Sequence, residues 1–549
     1  MPALRTALIA FCLLLSALPA TARTPEPAQA SAAPMVAPLP AQLQDFDGYV
    51  EAVRTRFEVP GVAVAIVKDG QVVLERGYGV REMGRPEPVE ADTLFAIASN
   101  SKAFTAASLS MLADDGKLAL EDRVIDHLPW FRMSDPYVTF EMRIRDLLAH
   151  RSGLGLGAGD LLYWPTTDYS NEEVARRLRD VPLSGGFRER YAYDNILFGV
   201  AQLVIEEAAG QPYRDFLRQR IFDPLGMDQT RYNSDFLRPG DKVASSHAKA
   251  GFTRLEPAPR MTWSNVAGAG GLYSSAHDMA KWMRVQLAGG VIDAGGDTGE
   301  TGDLAPRRLF SEKRQRAMWT MLTPIPVPEP SVPALAAARP NFLGYGEGWS
   351  LSDYRGRKLV WHTGGWPGMV SRVTLVPEHR LGIVVLTNQE VGAAFNAITM
   401  RALDAFLEAP RTDWLAAYAA AVAKAQGGAD ESWRKHLAAR DARSTPSLPL
   451  QAYAGVYRDP WYGDVAIARE QGKLILRFTR TPQLVGELAH WQHDSFIVRW
   501  NERWLNADAF VNFALDQDGG IREVRMQAVS PLTDFSFDFH DLRLKPVRE

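Results

Sequence analysis

Ser99 and Lys102 are three residues apart, and together their types and spacing could support covalent chemistry. If Ser99 begins a helix, the two side chains share one face while Ser101 points elsewhere. Free N–H groups and the positive end of the helix dipole would then favour negative charge on a carbonyl oxygen. Apolar residues follow Lys102, and burial lowers a lysine pKa towards that of a usable base. The alternative is a helix N-cap followed by an ordinary lysine that reaches solvent.

A second motif, Tyr193-x-Asn195, stands just before a predicted helix. A phenol near a lysine cation can relay a proton, and an asparagine amide can hold both a lysine and a substrate carbonyl. A core tyrosine followed by an N-cap asparagine is the alternative interpretation.

A third motif, residues 362–365 (HTGG), follows a strand-like run. Its glycines would let a substrate lie close to the backbone. Its N–H groups could complete an oxyanion hole for the carbonyl under attack. A glycine-rich turn without chemical function is the alternative.

Strand-like runs flank a helical region that must bring these motifs together. Alternating apolar residues at 62–67 and 72–74, joined by Asp69-Gly70, predict a hairpin. Helical patterns dominate from about 99 to 320, and strand patterns resume at 358–361, 371–376 and 381–387 before a helix over 393–407. We therefore expect one sheet assembled from both ends of a domain spanning 42–410.

The remaining chain divides into a helical connector over 411–449 and a β domain over 450–549. Short alternating runs in the β domain, separated by turn residues such as Asp518-Gly519, predict a small barrel or sandwich. Its pair His490 and His493 lacks a third ligand, and the chain has no H-E-x-x-H motif. The sequence therefore predicts no metal or other cofactor.

The amino-terminal residues are typical of an exported protein. Residues 1–22 combine Arg5, a short apolar run and an A-x-A site, which predicts a signal peptide, and 23–41 form a Pro/Ala-rich leader. A single membrane anchor is the alternative, but the run is short for a span, and no later segment is long enough without charges. Removal of the signal would also remove Cys12, the only cysteine, which excludes disulfides and thiol catalysis. We expect a periplasmic or secreted location.

Composition limits the partners. The net charge of −4, with 46% hydrophobic and 23% charged residues, is ordinary for a globular protein and gives no reason to expect nucleic acid. The oligomeric state does not follow from these features.

The order S-x-x-K, Y-x-N, H-T-G resembles the serine β-lactamase and penicillin-binding-protein superfamily, most closely its class C-like branch of β-lactamases, D-aminopeptidases and esterases. The stretch 147–154 is similar to that branch's LL-x-H-x-SGL segment. The resemblance covers about 42–410 and implies an α+β fold, in which helices and a large helical subdomain flank an antiparallel sheet. It further implies Ser99 as the acylated nucleophile, Lys102 as its proton acceptor and Tyr193 as the general base and acid.

The resemblance also assigns the substrate-binding groups. Asn195, His362, Thr363 and Gly364 would contact the substrate, and the N–H groups of Ser99 and Gly365 would form the oxyanion hole. Many β-lactamases and carboxypeptidases carry lysine where this chain has histidine. That departure favours a peptidase, aminopeptidase or esterase acting on a small molecule or short peptide. A β-lactamase and a non-catalytic binding or assembly protein are the alternatives.

Overall fold

A computed structural model describes residues 39–292 and 307–548. The predicted signal peptide, the leader up to residue 38, residues 293–306 and residue 549 lie outside the described residues. Leu39, at the end of the predicted leader, already packs against buried residues of the first sheet and its helices. No helix within the described ranges combines the length and apolar character needed to cross a membrane.

Helices are the main regular structure between residues 98 and 292, where the helical patterns of the sequence predicted them. The helical bounds are α1 Phe46–Arg56, α2 Lys102–Asp114, α3 Val124–His127, α4 Pro136–Glu141, α5 Asn171–Arg177, α6 Ile196–Ala209, α7 Tyr213–Leu217, α8 Asp223–Leu225, α9 Ala267–Gly270, α10 Ala276–Leu287, α11 Glu312–Met318, α12 Gly392–Phe406 and α13 Trp414–Ala439.

Strands form two large sheets and two short pairs. The bounds in the first 410 residues are β1 Gly61–Lys68, β2 Gln71–Gly79, β3 Phe95–Ala96, β4 His247–Ala250, β5 Arg254–Pro257, β6 Tyr273–Ser274, β7 Thr323–Ile325, β8 Leu343–Tyr345, β9 Ser350–Tyr354, β10 Arg357–Trp366, β11 Met369–Val376 and β12 Leu381–Thr387. Those after the connector are β13 Gly455–Asp459, β14 Gly463–Glu470, β15 Lys473–Phe478, β16 Val485–Gln492, β17 Ser495–Trp500, β18 Ala509–Leu515, β19 Ile521–Ala528 and β20 Lys545–Pro546.

The first sheet joins the two ends of its domain, as predicted. Its order is β2-β1-β12-β11-β10-β9-β8-β7. Strand β1 pairs antiparallel with β12, with Val62 opposite Thr387 at one end and Lys68 opposite Leu381 at the other. Alternate residues of β1 belong to different buried clusters, because successive side chains point to opposite faces. Helices α1 and α12 cover one face, and α2 and α10 pack in the cluster on the other. The α+β prediction is confirmed.

The second sheet is a nearly closed antiparallel barrel. Its order is β19-β18-β17-β16-β15-β14-β13-β20, and a bridge between Val524 and Leu544 connects the two ends. Aromatic side chains fill its interior, including Tyr453, Phe496 and Phe513 with ring centroids 4.9–5.5 Å apart. Closure removes exposed strand edges, which stabilises a small all-β domain.

Candidate active site

Ser99 and Lys102 lie next to each other, as the helical spacing predicted. Ser99 belongs to a 3-10 turn, Ala98–Ser101, which runs directly into α2 beginning at Lys102. Lys102 Nζ donates a hydrogen bond to Ser99 Oγ at 3.0 Å. Ala98, with φ of 47°, adopts the left-handed conformation that alanine rarely occupies, and such strain clusters at functional sites.

Lys102 is completely buried, so its amine is removed from bulk water. Besides Ser99, Nζ donates to Asn195 Oδ1 at 2.7 Å and to the Ala269 carbonyl at 2.9 Å. Burial lowers the pKa of Lys102 to about 7, and the negative charges of Asp160 and Asp194 partly oppose this. At neutral pH a large fraction of Lys102 is therefore uncharged and able to accept a proton.

Asn195 is fixed from both ends of its amide. Its Oδ1 accepts from Lys102, and its Nδ2 donates to Asp160 Oδ2 at 2.9 Å. Asp160 is fully buried in a 3-10 turn, Asp160–Leu162, and it also accepts from the Tyr163 hydroxyl. The local sequence around Asp160 carries no motif that would have predicted its place here.

The Tyr193 ring lies over the lysine. Lys102 Nζ is 4.8 Å from the Tyr193 ring centroid and 5.2 Å from that of Phe198, distances at which a cation is attracted to an aromatic face. Burial raises the pKa of Tyr193 well above its ordinary value, and a hydrogen bond with Ser99 opposes the shift. The free phenol is therefore protonated at neutral pH.

The third motif lies inside a strand, which continues the strand-like run that precedes it. Residues 362–365 belong to β10, which pairs with β11 as far as Trp366 opposite Met369. The turn between the two strands is Pro367-Gly368. A Cβ on Gly364 would come within 2.2 Å of the Ile97 carbonyl, so this glycine permits β10 to pass close to the serine turn. A Cβ on Gly365 would meet no atom within 4 Å.

His362 is neutral. Its Nε2 shares a hydrogen bond of 2.8 Å with the Tyr345 hydroxyl, and its Nδ1 lies 2.6 Å from the Thr363 carbonyl. Burial and the charge of Lys102 lower the pKa of His362 to about 3. The group that replaces the lysine of related enzymes thus carries no charge at neutral pH.

His150, within the stretch 147–154 singled out above, is also fully buried, and its Nδ1 accepts from the Asp194 N–H at 3.2 Å. Its ring packs against those of Tyr193 and Tyr345, with centroids 4.1 and 4.4 Å apart. Burial lowers the pKa of His150. His150 therefore packs against Tyr193 without lining the cleft itself.

One cleft of about 450 Å³ brings the three motifs together. The motif residues that line it are Ser99, Tyr193, Asn195, His362, Thr363, Gly364 and Gly365. Lys102 lies beneath this surface. The barrel domain contributes three more lining residues, Asp534, Phe535 and Ser536, which no sequence pattern had indicated.

The fold and the cleft define a class: a serine hydrolase in which a lysine bonded to the serine stands beside a buried tyrosine. The Beta-lactamase family matches residues 46–406, and the chain belongs to that family. Residues 439–546 match a second family, described as a domain of unknown function (DUF3471).

Individual relatives agree with this assignment. The unguisins hydrolase ungD of Aspergillus violaceofuscus is 28% identical over 471 residues, covering 80% of this chain and 78% of the relative. Penicillin-binding protein 4 of Amycolatopsis lactamdurans is 29% identical over 357 residues, covering 63% and 85%. The octameric penicillin-binding protein homologue from Pyrococcus abyssi has a TM-score of 0.57 at 19% identity, covering 91% and 99%. The last likeness concerns the fold and extends across both domains.

Proposed function

We propose that this protein is an exported peptidase or aminopeptidase that acylates Ser99 with small amide or ester substrates. The observation that carries the proposal is the hydrogen bond from a completely buried Lys102 to Ser99 Oγ. A serine hydroxyl is a weak nucleophile, and a neighbouring base with a pKa near neutrality activates it. The hydrolase relatives of this family support the same reaction class.

In the acylation step Ser99 Oγ forms a bond to the substrate carbonyl carbon, and its proton passes to the Lys102 and Tyr193 pair. Lys102 is the first acceptor, because its pKa is near 7 while that of Tyr193 is raised by burial. The N–H groups of Ser99 and Gly365 stabilise the oxyanion. The proton then moves to the departing amine or alcohol as that bond breaks. Water then attacks the acyl carbon and gives a proton to the Lys102 and Tyr193 pair. The bond from the acyl carbon to Ser99 Oγ breaks, and the proton returns to Ser99 as the acid leaves.

The substrate class follows from His362. A neutral imidazole bonded to Tyr345 offers no permanent cation to a carboxylate next to the scissile bond. This argues for amino-acid amides, short peptides and short esters over substrates whose recognition needs such a cation. Export directed by the predicted signal peptide of residues 1–22 would bring the enzyme to peptides of the periplasm or medium.

Mass spectrometry after treatment with a fluorophosphonate tests the nucleophile. Ser99 Oγ should displace fluoride from phosphorus and retain the phosphonyl group, because the same base activates it. Ser99→Ala should show no adduct. Ser101→Ala is the matched control, since Ser101 Oγ only accepts from the Leu272 N–H at 3.2 Å, and it should label like the wild type. Full labelling of Ser99→Ala would overturn the assignment.

Substrate screening separates the remaining alternatives. D- and L-amino-acid amides, short peptides and esters should be hydrolysed, and a β-lactam should form an adduct that turns over slowly or not at all. Rapid β-lactam turnover without peptide or amide hydrolysis would favour a β-lactamase. Absence of any adduct on Ser99 would favour a non-catalytic binding protein.

A further inference from the structure

The barrel domain reaches the active site through the segment between β19 and β20. Phe535 in this segment packs edge-on against Tyr193, with ring centroids 5.9 Å apart at 84°. A Cβ on Gly157 would come within 2.8 Å of the Phe535 ring and 2.9 Å of its carbonyl, so the two domains meet closely here. The segment therefore forms a wall of the same cleft that contains Ser99.

A continuous set of hydrogen bonds connects this wall to the lysine. Ser536 Oγ donates to Asp160 Oδ2 at 2.8 Å, and Asn195 Nδ2 donates to the same oxygen at 2.9 Å. Asn195 Oδ1 then accepts from Lys102 at 2.7 Å. All four side chains are at most 4% exposed, so water does not compete for these bonds.

A second barrel residue holds the turn that carries Asp160. The Asp538 carboxylate accepts the Gly159 N–H at 2.7 Å and the Leu161 N–H at 3.1 Å, the residues on either side of Asp160. Asp538 is fully buried, and its two oxygens satisfy two backbone donors that would otherwise be unpaired. The barrel thus holds both the side chain of Asp160 and its backbone.

We propose that Ser536 and Asp538 are positioning residues of the active site, holding Asp160 so that its carboxylate orients Asn195 and supports the charge on Lys102. The barrel domain is then a working part of the catalytic centre. This inference rests on the proposed function, because it assigns these residues to the Ser99 reaction.

The charge balance around Lys102 gives the expected direction of change. The titratable groups facing Lys102 are Asp160, Asp194, Tyr193, His150 and His362. Burial raises the pKa of Asp160 well above its ordinary value, and the bonds from Asn195 and Ser536 oppose that rise. The charge of Asp534 adds to the rise, and that of Lys102 opposes it. Loss of the Ser536 hydroxyl would raise the pKa of Asp160 further, and the weaker negative charge would lower the pKa of Lys102.

The test is the pH dependence of the second-order rate at which a fluorophosphonate labels Ser99 in the full chain. For Ser536→Ala we expect the labelling rate at pH 8 to fall by roughly tenfold, the effect of a lost hydrogen bond to a charged group. The fall of the labelling rate at low pH, which reflects protonation of Lys102 and is called the acidic limb below, should move to lower pH. Ser530→Ala is the matched control, because Ser530 Oγ accepts only from the Leu532 N–H in the same segment. It should keep the wild-type rate and profile.

A double variant shows whether Ser536 acts through Asp160. Asp160→Asn alone should move the acidic limb to lower pH, and Ser536→Ala added to it should change the limb no further. Asp538→Asn, which exchanges one acceptor oxygen for a donor facing the backbone N–H groups of Gly159 and Leu161, should also slow labelling and covers the case in which Ser536→Ala does not fold. Thermal unfolding verifies the fold of each variant.

The outcomes separate this inference from the proposed function. If the wild type is labelled at Ser99, and folded Ser536→Ala and Asp538→Asn keep its labelling rate and acidic limb, the positioning role alone is overturned. Failure of the wild type to label at Ser99 would overturn the proposed function and, with it, the role given to the barrel.

Discussion

Two fully buried aspartates, Asp146 and Asp160, show how differently one chain can use the same side chain. Asp146 is held by the guanidinium groups of Arg151 and Arg188 at 2.8 and 2.5 Å, so its charge is neutralised by partners of its own. Within the part of the chain that the structure describes, the side chains that donate to Asp160 are neutral, those of Asn195, Ser536 and Tyr163. Burial raises the pKa of Asp160 well above its ordinary value, and its ionised form acts on Lys102, which burial makes sensitive to nearby charge. The first arrangement stabilises a fold, whereas the second adjusts a reactive group.

The largest effect is expected when Lys102, the reactive group near Asp160, is removed. Lys102→Ala should slow fluorophosphonate labelling of Ser99 by roughly 10³-fold, because the general base is lost. Lys358→Ala is the control: burial also lowers the pKa of Lys358, but its Nζ donates to the Trp319 carbonyl at 2.8 Å and does not contact Ser99. It should label at the wild-type rate. Near-normal labelling of Lys102→Ala would show that Lys102 is not the base for Ser99. Asp160 would then have only a structural role, like Asp146.

The next largest effect is on the free energy of unfolding when Asp146 is replaced. Asp146→Ala should reduce the free energy of unfolding by about 3 kcal/mol, because two guanidinium groups would lose their buried partner. Urea unfolding measures this change. The labelling rate per folded molecule should stay unchanged, since neither arginine lines the cleft of Ser99. A large loss of labelling with a small loss of stability would reverse the roles given to the two aspartates.

The pH dependence of stability should reveal the sensitive lysine directly. Because the folded pKa of Lys102 is about 7 and the ordinary lysine value is 10.5, the unfolded chain binds more protons between those limits. Stability of the wild type relative to Lys102→Met should therefore rise with pH from about 7 to 10, by about 1.4 kcal/mol per unit. Denaturant unfolding at several pH values measures the difference. A flat difference across this range would mean that Lys102 remains charged when buried.

The smallest effect compares two conservative substitutions. Asp160→Asn should change the free energy of unfolding by about 1 kcal/mol, because its neutral partners can still form hydrogen bonds to an amide. Asp146→Asn should cost more, because its partners are cations. Side-by-side thermal unfolding of the two variants decides the ranking. Equal losses would contradict the distinction between a neutral and an ionic set of partners.

Much of the fold could be predicted from local patterns. Alternation and Asp69-Gly70 indicated the hairpin of β1 and β2, and the structure confirms it. β10 continues through the third motif although glycines are weak strand formers, and the close approach of Ile97 explains Gly364 within this strand. The role of the barrel in the cleft could not be predicted. Ser536 and Asp160 are 376 residues apart, and neither belongs to a recognisable motif.

By itself the sequence determined which reactive residue types are present and which of them are neighbours along a helix, since Ser99 and Lys102 meet through local periodicity. Only the tertiary structure decided their protonation states. A pKa depends on burial and on charges contributed by distant segments, and Asp160, Asp194 and the barrel come together around Lys102 only when the chain is folded. The same reason makes His362 neutral.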